Sequence, residues 1–407
     1  MFFAMTARPI FLITVFVSAQ VFGQLGGLMF AALLPDIMSA WSLSHSEAGW
    51  LSGIFFGAYA LSVPLLVTAT DRVRPKKIYV ASLFVTVASH LGLAYLADGF
   101  WTGMLFRIAA GVGWAGTYMV GLRALTDELS GDTASRAVGL HAAGIGLSGA
   151  ASFVVAGFVG SEFGWQAAFM VASVSSAIAI GIAVSAFPDG AKPNAASGDA
   201  LFDFRPVFRN RSALSYSLAY CVHTWEMFVV RSWAVTFLTF VLISESWVPL
   251  IFVPTVVAMV MEITGTVASV AGNEAALRVG RRRWIIGVML ASMVCAAVVG
   301  FSAQWGYVAA AVMCVIYNAL IYADSSALTS GTIAHAEPER KGATMAVHAL
   351  LGYGGGFVGP LLMGVFLDAL GGETVVNWGI GFLHLAVVMV VGPWSLLAFR
   401  PRSDNVD

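Results

Sequence analysis

Apolar residues run along this chain in long blocks, separated by short polar or basic breaks. A helix rises about 1.5 Å per residue, so about 20 mainly apolar residues cross a hydrocarbon core of about 30 Å. Such blocks fall at 9–35, 47–69, 77–97, 100–125, 136–160 and 165–187, then at 213–240, 248–273, 284–302, 305–332, 342–366 and 375–399. The pattern predicts twelve membrane-spanning helices, six on either side of a long break. The first block is too long and Gly-rich for a cleaved signal, and no small-residue cleavage site follows it. It is expected to stay as a helix.

The break, 188–212, reads PDGAKPNAASGDALFDFRPVFRNRS. Its first half has linker composition. Its second half interleaves Phe and Val with Arg205, Arg209 and Arg211, as a short interfacial segment does. The expected organisation is an N-terminal six-helix bundle over 1–187, a cytoplasmic linker over 188–212 and a C-terminal six-helix bundle over 213–407.

Composition removes the alternatives. Hydrophobic residues make up 59% of the chain, charged residues 11%, and mean hydropathy is +0.84. A soluble domain carries roughly 25% charged residues, so a soluble enzyme, a disordered chain and a nucleic-acid binder are excluded. Net charge is −1, which leaves no basic footprint for DNA or RNA. Twelve Trp and 28 Phe suit a lipid-facing protein with aromatic belts. Cys221, Cys295 and Cys314 all lie in apolar runs and make no disulfide framework.

The basic residues give an orientation. With the N-terminus inside, the cytoplasmic segments hold Arg8, Arg72, Arg74, Lys76, Lys77, Arg123, Arg136, Lys192, Arg205, Arg209 and Arg211. They also hold Arg278, Arg281, Arg282, Arg283, Arg340, Lys341, Arg400 and Arg402, which makes 19 of the 21 basic residues. Arg107 and Arg231 fall inside predicted helices, so the external loops hold none. This positive-inside asymmetry predicts an even number of spans with both termini cytoplasmic.

The halves repeat at an offset of about 206–207 residues: DRVRPKK (71–77) matches LRVGRRR (277–283), and His141 matches His348. Such a repeat predicts two parallel six-helix bundles with a cavity between them. SEAGWLSGIFFGAYALSVPL (46–65) and TDRVRPKK resemble the second helix and cytoplasmic signature loop of the major facilitator superfamily. Val67 and Arg74 stand where that loop usually has Gly. RIAAGVGWAG (107–116) resembles the family's fourth-helix motif, and FGWQAAF (163–169) the start of its sixth helix, with Gln166 where Arg is common. GGGFVGPLLMG (354–364) resembles its Gly-Pro motif, whereas GIGLSGAAS (144–152) lacks the Pro of the antiporter form. Within the family the resemblance leans towards the cyanate/nitrate-type anion branch. It implies an all-α membrane protein of two six-helix bundles related by pseudo-two-fold symmetry around a central cavity. It further implies alternating access, a bacterial-type cytoplasmic (inner) membrane, a monomer in the lipid bilayer, a small-molecule substrate, and a proton gradient rather than a cofactor as energy source.

Ionisable groups at bilayer depth cost at least about 2.5–3.5 kcal/mol on insertion scales and mark function by default. Those present are His90, Arg107, His223, Glu226, Arg231, Glu262, Asp324 and His384, with His141 and His348 nearer helix ends. The seventh span reads YCVHTWEMFVVRSW (220–233). At about 100° per residue Glu226 meets His223 but lies about 140° from Arg231. Glu226 and His223 are expected to share a proton, leaving Arg231 for an anionic substrate or an acid on another helix, with Trp225 walling the cavity. Packing-only ion pairs are the bland alternative for Arg231 and Glu226.

In the tenth span Tyr317 and Asp324 share one face, and Asn318 and Tyr322 the neighbouring one. Tyr and Asn are neutral donors that orient a polar substrate. Asp324 either carries a coupling proton or plays a structural part, capping or bridging to the nearby basic loop. Desolvation disfavours the charged form of a lone carboxyl such as Glu262, which suits proton coupling; pairing with Arg231 is the alternative. Arg107, Gln20 and Gln24 complete the candidate substrate set, while His90 and His384 read as packing residues. Asp71, Arg72 and Arg278 in the cytoplasmic loops form a candidate conformational latch, against which stands plain positive-inside topology.

The leading expectation is a proton-coupled symporter of a small polar solute, anionic or zwitterionic. A drug/proton antiporter and a transport-inactive receptor are the alternatives. The chain contains no HExxH, GxSxG, P-loop or metal-spaced Cys/His group, so no catalytic residue, bound metal or ATP-driven step is expected.

Overall fold

The computed structural model describes residues 7–189, 205–243, 249 and 253–399. They are helical, with no strand among the described residues. In chain order the helices are α1 (Ala7–Gln24), α2 (Met29–Ala32), α3 (Leu34–Trp41), α4 (His45–Ala69), α5 (Pro75–Tyr95), α6 (Phe100–Asp127), α7 (Gly131–Phe163) and α8 (Trp165–Ala186). There follow α9 (Arg205–Arg209), α10 (Arg211–Leu242), α11 (Pro254–Val279), α12 (Arg281–Val299), α13 (Tyr307–Tyr322), α14 (Ser325–His335), α15 (Lys341–Ala369), α16 (Val375–Met389) and α17 (Val391–Ala398). Eleven helical spans among the described residues are long and apolar enough to cross a membrane, and Arg8–Gln24 is a shorter apolar helix.

Three predicted spans are broken rather than continuous. The first stops at Gln24, just before the Gly26–Gly27 pair, and resumes through α2 and α3. At this break Ser152 donates to the Leu25 carbonyl, and the His90 imidazole sits against Gly26. The tenth breaks between α13 and α14 at Ala323–Asp324, and the Ala323 carbonyl accepts from Trp284 Nε1 at 2.9 Å. The last breaks at Val390, three residues before Pro393, which has no N–H to continue the ladder. Helix breaks at bilayer depth persist where neighbouring side chains satisfy the freed backbone groups. Helix α11 runs to Val279, beyond the predicted end at 273. It stops only at Gly280, whose φ of +98° suits Gly alone.

Two compact units emerge: Met1–Leu33 with Gly57–Ser197, and Leu34–Phe56 with Gly198–Asp407. The linker residues 190–204, Lys192 among them, and Arg400 and Arg402 lie outside the described residues. In the first unit α5 packs on α6 and α8, and α1 on α7 and α8. Its core gathers Leu12, Phe16, Tyr79, Leu83 and Phe187, with Phe16 stacked on Phe187 at 3.7 Å.

In the second unit α10 is central, packing on α15, α14, α17 and α13. Every residue from Glu226 to Leu238 is buried. A stretch buried on all sides offers no free face, so each charge within it must meet another helix. Gly352 and Gly356 on α15 take the rings of Tyr220 and Phe228, which brings the two helices close. In α9, the short helix of the predicted interfacial segment, Val207 is buried and Phe208 exposed.

Candidate functional site

The densest set of buried polar groups lies inside the second unit, around α10. Arg231 pairs with Glu262 of α11 through two parallel hydrogen bonds: Nε donates to Oε1 at 2.8 Å, and the second guanidinium nitrogen donates to Oε2. Both side chains are buried. The guanidinium lies 5.5 Å from the Tyr322 ring centroid and 5.8 Å from that of Phe228. Such a fork is the strongest geometry open to Arg and carboxylate. Of the two alternatives for Arg231, the acid on another helix is the one present. Glu262 correspondingly is no lone carboxyl.

Glu226, 140° round the helix, has different company. Ser292 of α12 and Tyr317 of α13 each donate to Oε1 at 2.7 Å, and Oε2 has no hydrogen-bond partner. The expected Glu226–His223 pair is not formed. His223 Nδ1 instead lies 2.8 Å from Asp324 Oδ1 at the α13–α14 break, without hydrogen-bond alignment. Because α10 is enclosed, residues three apart on it turn to different neighbours. Asp324 thus faces a histidine of α10.

Tyr220 is stacked between His348 of α15, at 4.0 Å, and His223, at 5.6 Å. His348 lies 3.0 Å from Thr332 Oγ1 and 3.4 Å from Ser217 Oγ. Ser292, Tyr220, Thr332 and Ser217 had no place in the sequence reading. Their only signal was a polar side chain inside an apolar run, which most such residues share.

The other candidates are placed as follows. Asn318 donates from Nδ2 to the Met261 carbonyl at 2.6 Å, which ties α13 to α11, and its Oδ1 has no hydrogen-bond partner. Trp225 Nε1 donates to His384 Nε2 at 3.3 Å, and His384 also contacts the Gly381 carbonyl, in keeping with a packing role. In the first unit Gln20 donates to Gln24 at 3.5 Å, both side chains buried. Arg107 is buried there too, over the Phe30 ring at 4.5 Å. Asp71 accepts from Arg123 of α6 at 2.7 Å, Arg72 is exposed, and Arg278 pairs with Glu274 one turn away at 2.8 Å.

Residues 12–360 match the Major Facilitator Superfamily. The niacin transporter NiaP of Acinetobacter baylyi is 24% identical over 141 residues, covering 35% of this chain and 32% of that protein. A probable sugar efflux transporter of Pasteurella multocida is 29% identical over 156 residues, covering 37% and 36%. The matched stretches thus span about a third of these relatives. A bacterial homologue of the human lysosomal transporter Spinster, solved in an inward-facing and unoccupied conformation, superposes with a TM-score of 0.78. It shares 16% identity over 98% of both chains, a likeness of fold.

Proposed function

The chain belongs to the major facilitator superfamily, and from that premise we propose that it is a secondary active transporter working by alternating access. It moves a small polar solute bearing a carboxylate or similar anion, alone or as a zwitterion, in symport with protons. The broken first span serves as the twelfth crossing beside the eleven long ones, giving six helices per half, both termini in the cytoplasm and a bacterial-type inner membrane as location. The protein acts as a monomer.

One observation carries this reading: buried in the second unit are a matched Arg231–Glu262 pair and a second carboxyl, Glu226, held only by neutral hydroxyls. An anionic group on the solute competes with Glu262 for the Arg231 fork, while the ammonium of a zwitterion takes up the released carboxylate. Tyr322 and Asn318 flank that exchange, with Trp225, Tyr317 and His223 further along; Arg107, Gln20 and Gln24 are the substrate-binding candidates within the first unit. Glu226 takes and releases the coupling proton, because Glu262 and Asp324 each have a basic partner. Asp71, Arg72 and Arg278 act as the cytoplasmic latch.

The test is reconstitution. Thermal-shift screening of small carboxylates, zwitterions and cationic drugs picks ligands, and counterflow in proteoliposomes follows. Stabilisation by anions or zwitterions with counterflow and pH-driven uptake is expected. Response to cationic drugs alone replaces the reading with drug/proton antiport, the direction favoured by the efflux relative. Ligand binding without counterflow replaces it with a receptor.

A further inference from the structure

We infer that Ser292, a residue of α12, is a positioning residue that sets the proton affinity of the Glu226 carboxyl. The inference rests on the reading of Glu226 as the coupling group and adds how that group is tuned. Hydroxyls within apolar helices commonly bond back to their own helix, as Thr264 does to the Val260 carbonyl at 2.8 Å. Ser292 does otherwise. The residue is 1% exposed, and its hydroxyl reaches across to α10 and donates to Glu226 Oε1 at 2.7 Å.

Tyr317 donates to the same oxygen, so the carboxyl is divided: Oε1 is held twice and Oε2 is buried without a hydrogen-bond partner. A proton arriving on Oε2 leaves both bonds to Oε1 in place, as a carbonyl oxygen accepts two. The donors do not release the acid when it is neutral, but they hold it more strongly when it is charged. They therefore bias the equilibrium without blocking it.

The surroundings leave that bias with the hydroxyls. The ionisable groups near Glu226 are His223 on its own helix, Cys295 on α12, Tyr317 on α13 and Asp324 at the α13–α14 break. His348 on α15 lies beyond, against His223. His223 is engaged with Asp324, so Ser292 and Tyr317 are the groups bonded to the carboxyl itself. Removing Tyr317 would also empty the volume of a fully buried ring. Ser292→Ala deletes one oxygen and is the cleaner probe.

The experiment reads protonation directly, with the full chain in lipid and no substrate. Infrared difference spectra are titrated with pH, and the carboxyl C=O band of Glu226 is identified by its loss in Glu226→Gln. Losing a donor to the charged form makes the acid hold its proton to higher pH. A hydrogen bond to a charged group corresponds to about one pH unit. Ser292→Ala is expected to move the Glu226 midpoint upward by about one unit, and Ser292→Thr, which keeps the hydroxyl, to leave it in place. A native midpoint in Ser292→Ala overturns the role of Ser292 and leaves Glu226 as the coupling group. Should Glu226→Gln remove no titrating band, the reading of Glu226 falls, and this inference with it. If Ser292→Ala does not fold, Ser292→Cys, a weaker donor, must still shift the midpoint upward; no shift overturns the inference.

Discussion

Asp368, near the end of α15, closes the start of α4 by accepting from His45, 323 positions earlier in the chain. His45 Nδ1 lies 2.8 Å from Asp368 Oδ1, and the same oxygen accepts from the His45 backbone N–H at 3.1 Å. The other carboxylate oxygen accepts from the Ser46 N–H at 2.7 Å. A helix start has N–H groups without intrahelical partners and a positive dipole end, and here a carboxylate from a distant helix serves both. Loss of an N-terminal cap costs about 0.5–2 kcal/mol. Asp368→Ala is expected to lower thermal stability in detergent by that amount, and Asp368→Asn by less, since one oxygen remains. Equal melting of Asp368→Ala and the native chain would refute it.

Glu373, in the turn between α15 and α16, titrates in a definable direction. Glu373 keeps solvent exposure, yet the turn packed around it partly desolvates its carboxyl and raises it above the ordinary glutamate value, which the nearby His45 opposes only in part. The folded state therefore binds its proton more readily than the unfolded state. By linkage, its contribution to stability is greatest in acid and falls as pH rises through the window from the ordinary value up to the raised one. Glu373→Gln should flatten stability across that window. Thermal melts at a series of pH values, native against variant, provide the comparison.

Breaking the Arg231–Glu262 fork from one side strands a buried charge. Arg231→Ala is expected to cost about 3–5 kcal/mol, as does removal of one partner from buried pairs generally. The double variant Arg231→Met with Glu262→Met should recover most of that, because no uncompensated charge remains. Both should lose binding of anionic ligands. A double variant as unstable as the single one would show that the pair is not the cause.

Glu226→Gln should retain counterflow, which needs no net proton movement, and lose accumulation driven by a pH gradient. The contrast within one preparation is the measurement. Full accumulation in Glu226→Gln would move the coupling proton to another group, Asp324 being the next to replace.

Gly272 on α11 faces the backbone carbonyl of Ala323 at the α13–α14 break, so a Cβ there collides with backbone. Gly272→Ala should destabilise by about 1–3 kcal/mol through overpacking. Gly287→Ala on α12 is the control, with nothing within 4 Å of its added Cβ. It should be neutral or slightly stabilising from helix propensity. Matching melts for the two variants would remove the argument.

The sequence alone determined the membrane character and the family. Blocks of apolar residues long enough to cross a bilayer are one-dimensional information, as is the gathering of most basic residues between those blocks, and motifs such as RIAAGVGWAG and GGGFVGPLLMG need no coordinates to be matched. It also found the buried ionisable residues, since charge inside an apolar run stands out whatever its partner. Tertiary structure decided which of them meet. On α10 the 140° between Glu226 and Arg231 could be read from spacing, but not that the helix is enclosed, so that one side meets Ser292 and Tyr317 and the other Glu262. The breaks at 25–28 and 323–324 escaped the apolar pattern for the same reason: Ser152 and Trp284 satisfy the freed carbonyls from other helices. Apolar length follows from transfer to lipid, which each residue does by itself. Pairing follows from which helices touch, which no residue does alone.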